Sequence, residues 1–301
     1  MPPRSTWLPW LAFTAISLIW GSTWLAHKWA LADFTPLGLL QLRLLSAGAL
    51  CCLLGRLRGE PWPERTDWFP LLFAGLILTG IANVATAWTL QYLPSGVGAV
   101  LQAPIPVWMA LFSLKRDPLT ASGWCAILLG LFGVAVVMWP SETSHFDVLA
   151  SVVCVASAAL WSWASLYQRD RVHSGGLFSN AGLQMLQGGL LGSVAIALGA
   201  QATQHGTITP AALWAVSYLV IFGSCIAFAA YLYLTKVWHP ARAGSFSYLN
   251  PVVAVALGVM IGNEPITSRL LTGLIIILLA VGVLQYATSP RLAKAATKTA
   301  G

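Results

Sequence analysis

Long apolar stretches separated by short polar or Pro/Gly breaks follow one another along almost the whole chain. A helix crosses a hydrocarbon core of about 30 Å with about 20 residues at ~1.5 Å each. Ten segments fit this pattern: Leu8 to Lys28, Pro36 to Gly55, Phe69 to Gln91, Val97 to Leu114, Ala121 to Trp139, Val148 to Tyr167, Leu177 to Gly199, Ala211 to Leu234, Gly244 to Gly262 and Leu270 to Thr288. A charged loop, Arg56 to Asp67, follows the second segment, and a polar loop, Pro140 to Asp147, follows the fifth. The segments are continuously apolar, whereas a membrane-spanning strand alternates and is about half as long, so helices are predicted. Gly188/Gly192 and Gly258/Gly262 have the small-xxx-small spacing that lets helix backbones approach.

One stretch occurs twice. Ser245-Phe-Ser-Tyr-Leu-Asn-Pro251 leads through an apolar run to Asn263-Glu264-Pro265-Ile266-Thr267, and Val97-Gly-Ala-Val-Leu-Gln-Ala-Pro104 leads likewise to Lys115-Arg116-Asp117-Pro118-Leu119-Thr120. Thirteen residues separate proline from acid in both copies. Trp20 and Trp161 each stand eight residues before a base, Lys28 and Arg169. The chain therefore reads as two five-helix repeats, residues 1–146 and 147–301.

Only 8% of the 301 residues are charged and 57% are hydrophobic, against about 25% charged in a soluble domain. The polar surface is too small to cover a water-soluble globule, so the partner of the outer surface is a lipid bilayer. The net charge of +7 does not indicate nucleic acid, because the basic residues are scattered singly between apolar segments rather than gathered on one face. With a cytoplasmic N-terminus, thirteen of the sixteen Lys and Arg fall inside, among them Arg4, Arg291, Lys294 and Lys298. Lys28 and Arg269 fall outside, and Arg43 lies within a segment. That bias obeys the positive-inside rule and makes both termini cytoplasmic. An odd number of helices per half then inverts the second repeat, an architecture that lets a transporter open to either side of a central cavity. The N-terminal run is long and Trp-rich without a small-residue cleavage site, so it reads as a retained helix. The five cysteines lie in apolar stretches without metal-ligand spacing and read as small core residues.

Trp20-Gly21-Ser22 in the first helix, Arg43 in the second, Asn83 in the third, the two proline-to-acid turns, Gly273 and Gly282-Val283 together resemble the EamA-type branch of the drug/metabolite transporter superfamily. The resemblance covers nearly the whole chain, with Asp117 where the family usually has Glu. It implies a ten-helix carrier of the bacterial inner membrane, often an exporter of amino acids or related metabolites. The four-helix drug exporters of the same superfamily carry a first-helix Glu, which this chain lacks.

Candidate residues follow from what is costly in hydrocarbon. Pro104 and Pro251 each remove a helical hydrogen bond, to the carbonyls of Val100 and Ser247. Interrupted helices at matching places point to a transport path, with a packing kink as the alternative. Near them stand Gln102, Trp108, Tyr248 and Asn250. Asn83 and Thr86 share a face of the third helix, and Trp88 and Tyr92 share another. Trp20 and Trp24, Trp163 and Tyr167, and Ser224 and Tyr231 add further candidates, for which helix packing is the alternative to cavity lining. Arg43 is the one strong charge at depth. It either meets a substrate carboxylate or joins a structural network with Gln184 and Gln187. Lys28 either holds an anionic group or snorkels to headgroups, and Glu264 braces the external turn. Trp7, Trp10, Trp29, Trp62, Trp68, Trp139 and Trp238 lie near segment ends as interfacial residues.

None of the nine acids sits centrally in a segment, and all five histidines sit at segment ends, so proton-coupled antiport of cationic drugs is not expected. The expected function is a carrier of small metabolites, foremost bulky or aromatic amino acids, working as a monomer or weak homo-oligomer in export or facilitated diffusion. It takes no cofactor and no metal and catalyses no reaction. A carrier of sugar phosphates or nucleotide sugars would need more bases than Arg43 and Lys28. A membrane sensor or scaffold would have no obvious use for inverted repeats.

Overall fold

The computed structural model describes residues 7–93, 95–137, 147–200, 202–262 and 268–288. Outside them lie Arg4, Trp139, Glu142, His145, most of the loop between the expected repeats, the turn carrying Asn263, Glu264 and Pro265, and Arg291, Lys294 and Lys298. Among the described residues the fold is all-α. The helices are α1 (Leu8–Ala30), α2 (Pro36–Leu57), α3 (Arg65–Thr89), α4 (Ser95–Leu101), α5 (Ile105–Ser113) and α6 (Ala121–Val137), then α7 (Val148–Arg171), α8 (Leu177–Ala197), α9 (Pro210–Val237), α10 (Pro240–Gly244), α11 (Phe246–Gly262) and α12 (Ser268–Ala287). By length and composition α1, α2, α3, α7 and α9 are able to cross a membrane. The other five expected segments correspond to α4 with α5, and to α6, α8, α11 and α12.

Local sequence sets the helix ends. Thr35 and Thr209 each accept a backbone N–H of the first turn ahead of a proline at the start of α2 and α9, and the Asp147 carboxylate does the same for Ala150 in α7. Gly59 and Gly199, with φ of 68° and 81°, let the chain turn away after α2 and α8. Both α3 and α9 widen into π-helical turns in mid-course, over Leu76–Ala82 and Leu219–Ile226.

Packing pairs the segments across the expected halves. Helix α2 runs along α8, and α6 along α12. Helix α1 lies against α11 and α9, while α7 lies against α5 and α3. Exchanging the first five segments for the second five leaves this pairing unchanged. Small residues allow the α2–α8 contact: a Cβ on Gly48 would stand 2.7 Å from the Leu186 backbone nitrogen, and one on Gly182 would stand 2.7 Å from that of Cys52. A Cβ on Gly188 would reach the Thr79 hydroxyl at 2.7 Å, and one on Gly192 would be 3.3 Å from Leu40.

The same exchange relates two clasps between loops. The Asp33 carboxylate accepts the backbone N–H and the hydroxyl of Thr209, at 2.7 and 2.6 Å. At the other end of the molecule the Asp67 carboxylate accepts the backbone N–H and the hydroxyl of Ser174, both at 2.6 Å. Glu60 adds to that second end by accepting the N–H groups of Phe178 and Ser179 at the start of α8.

The two prolines behave differently. At Pro104 the helix breaks into α4 and α5, and the Val100 carbonyl is taken instead by the Ala103 N–H at 2.9 Å. Pro251 sits inside α11, which runs through it. As the sixth residue of that helix it removes the bond to the Ser247 carbonyl without ending the helix, and the full interruption comes earlier, at Ser245 between α10 and α11. The two regions meet, for the Ser247 hydroxyl donates to the Ala103 carbonyl at 3.1 Å. Trp7, Trp10, Trp29, Trp62 and Trp68 are exposed as an interfacial belt requires, but Trp238 is buried, with the Arg242 guanidinium 3.9 Å from its ring centre.

Candidate functional site

A cavity of about 100 Å³ lies between α1, α2, α3, α5, α7, α8, α9 and α11, room for several water-sized groups. Its lining on α1 runs from Trp20 to His27, on α2 it is centred on Arg43, and on α3 it runs from Thr79 to Leu90. It therefore leans toward the end of the molecule that carries Lys28 and Pro36. The opposite end is held shut by the Asp67 and Glu60 clasps and by ion pairs from Arg169 to Asp117, at 2.9 Å, and from Arg116 to Asp170.

One wall carries a buried cation. Arg43 is 9% exposed and has no carboxylate partner among the described residues. Its Nε donates to the Ser224 hydroxyl at 2.8 Å, and Nη1 lies 2.9 Å from His27 Nε2. A guanidinium only donates, so His27 Nε2 accepts and the imidazole is neutral. Its other nitrogen, Nδ1, then donates to the Thr23 carbonyl at 2.8 Å. These two bonds use two of the five guanidinium N–H groups, and among the described residues no carboxylate offsets the charge.

The facing wall is polar and uncharged. Gln102 Nε2 donates to the hydroxyls of Thr86 and Ser157, at 2.9 and 3.0 Å. Those hydroxyls donate in turn to the carbonyls of Ala82 and Cys154. Among the described residues the buried Asn250 Oδ1 atom has no hydrogen-bond partner. A buried acceptor of this kind costs about 1–3 kcal/mol until a donor reaches it.

Both π turns contribute to the walls. They begin with the same pattern, Leu76-Ile-Leu-Thr-Gly80 and Leu219-Val-Ile-Phe-Gly223, and such turns recur at functional sites because they expose backbone groups. The first presents Thr79 and holds Asn83, whose amide donates to the Leu78 carbonyl at 2.9 Å. The second presents Ser224 to Arg43 and the Gly223 carbonyl to Trp20. The aromatic floor is built from matching positions of the two halves: Trp20 and Trp161 meet edge to face at 5.7 Å, and Phe228 and Phe246 complete it.

Of the residues singled out in the sequence, Trp20, Trp24, Arg43, Asn83, Thr86, Gln102, Ser224 and Asn250 line this cavity together. The others stand elsewhere. Tyr231 is fully buried behind the floor, donating to the Ser165 hydroxyl at 2.6 Å and accepting from Trp161 Nε1 at 3.0 Å. The Tyr248 hydroxyl donates to the Ile127 carbonyl, with its ring against Gly130 of α6. Trp88 packs on Tyr92, and Trp163 stacks on Tyr167 and meets Phe73 edge to face. Lys28 is exposed, and Pro104 and Pro251 shape helices without lining the cavity. Gln184 faces the Leu71 carbonyl rather than Arg43. Sequence reasoning passed over His27, Thr23, Trp161, Phe228 and Phe246 as lining residues. The spacing of Trp20, Thr23, Trp24 and His27 on one helical face was the available signal for the first two.

The family model described as "EamA-like transporter family" matches residues 7–139 and again 148–286. The inner membrane transporter YedA of Escherichia coli, named as uncharacterized, is 31% identical over 92% of this chain and 88% of its own. The transporter YvbV of Bacillus subtilis, also named as uncharacterized, is 23% identical over 90% of this chain and 88% of its own. A crystal structure of a protein 21% identical superposes with a TM-score of 0.77 over 92% of this chain and 96% of that one, which shows a shared fold.

Proposed function

The chain belongs to the EamA-like transporter family, and from that premise we propose that it is an inner-membrane carrier of small metabolites, foremost amino acids with bulky or aromatic side chains. The observation that carries this reading is Arg43, a buried cation on the cavity wall without a carboxylate partner among the described residues. A substrate carboxylate supplies the missing charge through charge-assisted hydrogen bonds. The Asn250 and Gln102 carbonyl oxygens receive its ammonium, and the Trp20, Trp24 and Trp161 rings take its apolar side chain. A phosphorylated substrate carries more charge than this single cation balances.

Transport proceeds by alternating access between two inverted five-helix halves, residues 1–146 and 147–301, in ten membrane passes. The twofold match of the family model, the exchangeable helix pairing and the paired π turns support that arrangement. With both termini cytoplasmic, as the lysines and arginines require, the cavity leans outward and the clasped end is cytoplasmic. One chain encloses the cavity, so a monomer or weak homo-oligomer suffices, in export or in facilitated diffusion down the substrate gradient.

The test is counterflow in proteoliposomes loaded with a panel of amino acids, including L-tryptophan, L-phenylalanine, L-alanine and L-lysine. Faster exchange of the aromatic members supports the reading. Absence of any amino-acid flux, with exchange of sugar phosphates instead, overturns it.

A further inference from the structure

A second concavity, of about 560 Å³, lies on the outer surface at the clasped end, where the C-terminal ends of α5 and α7 come together. Its floor is apolar and aromatic: Phe112 is 46% exposed and Trp163 37% exposed, and the Trp163 ring stacks on Tyr167 at 5.5 Å. Its rim is basic, with Lys115, Arg116 and Arg171. Arg116 is paired with Asp170. Arg171 stands over the Tyr167 ring at 5.9 Å, and neither it nor Lys115 has an ion-pair partner among the described residues.

The aromatic floor runs along α7, which is long and apolar enough to cross a membrane, and the apolar α5, and the bases stand at their ends, where headgroups lie. Apolar surface below and two uncompensated cations above fit an amphiphile with an anionic head. A soluble anion leaves the floor uncovered, and a zwitterionic lipid cancels its phosphate with its own cation. We propose that this groove binds an anionic glycerophospholipid, its phosphate held between Lys115 and Arg171 and its acyl chains against Phe112 and Trp163. Lys115 precedes, and Arg171 follows, the loop that divides the two matches to the family model. The lipid phosphate therefore ties one half to the other beside the Arg169–Asp117 pair, and the lipid favours the state in which this end is closed.

Delipidated full-length protein in detergent, melted with phosphatidylglycerol, phosphatidylcholine or inorganic phosphate, gives the test. Phosphatidylglycerol is expected to raise the Tm by several degrees more than the other two. The difference disappears in the double variant Lys115→Gln/Arg171→Gln and persists in Arg56→Gln/Arg65→Gln, which removes the same charge from exposed positions elsewhere. Because all four positions are exposed, both variants retain the fold. Equal stabilisation by the two lipids, an equal shift from inorganic phosphate, or a phosphatidylglycerol shift that survives in Lys115→Gln/Arg171→Gln overturns the proposal.

Discussion

The indole Nε1 of Trp20 donates to the backbone carbonyl of Gly223 at 2.9 Å, across 203 residues of sequence. The acceptor is exposed because α9 widens into a π turn at that point. The matching indole, Trp161, donates to the Tyr231 hydroxyl and not to a carbonyl of the matching π turn in α3. The two matching tryptophans are thus alike in place and unlike in bonding.

Trp20→Phe keeps the ring in the floor and removes the N–H, leaving the Gly223 carbonyl without its indole donor. The loss is expected to be about 1–3 kcal/mol, read as a lower Tm with unchanged helix content. An unaltered Tm shows that this bond does not hold the conformation.

Arg43→Gln tests the anion site. Hydrogen bonds to charged groups contribute about 1.5–3 kcal/mol, so the affinity for L-tryptophan measured by calorimetry is expected to fall by about tenfold to a hundredfold. L-Tryptophanamide lacks the carboxylate and binds both proteins alike. If the acid and the amide lose affinity equally, Arg43 acts on the fold and not on the substrate.

The loop clasp at Asp33 predicts an acid effect. The hydroxyl and backbone N–H of Thr209 hold the Asp33 carboxyl below its ordinary value. A group depressed by folding contributes stability that is fully present above its unfolded value, about 3.9, and lost as the pH falls through the folded one. Wild type therefore loses stability on acidification below about pH 4 that Asp33→Asn never has. Melting curves of the two proteins converge at low pH, and a constant gap between them contradicts the clasp.

Gly182 lies where α8 crosses α2, and a Cβ there meets Cys52 backbone 2.7 Å away. Gly182→Val forces the helices apart at their closest approach and is expected to abolish recovery of folded protein, seen by size-exclusion chromatography in detergent. Leu190→Val, on the lipid-exposed face of the same helix, leaves recovery unchanged.

The all-helical fold was legible because ten apolar runs with capping residues leave few alternatives. Arg43, Asn83 and Gln102 were legible because polar groups are costly in hydrocarbon and so mark interior faces. His27 was not, since a residue near a helix end reads as interfacial until a neighbouring helix places a guanidinium against it. At the prolines a missing hydrogen bond is visible in sequence, whereas the Ala103 N–H that replaces it at Val100 is not. The π turns escaped because nothing in Leu76-x-x-x-Gly80 alone distinguishes a five-residue from a four-residue bond. Tyr231 and Tyr248 show that a mid-membrane hydroxyl is as readily answered by a neighbouring helix as by a cavity.

The proposed pairing of a substrate carboxylate with Arg43 is measured most directly by counterflow of L-tryptophan in proteoliposomes holding wild type or Arg43→Gln at equal protein density. Wild type is expected to exchange it, with a loss of at least about tenfold in the variant at subsaturating substrate. Equal exchange by the two proteins, or none by wild type, contradicts it.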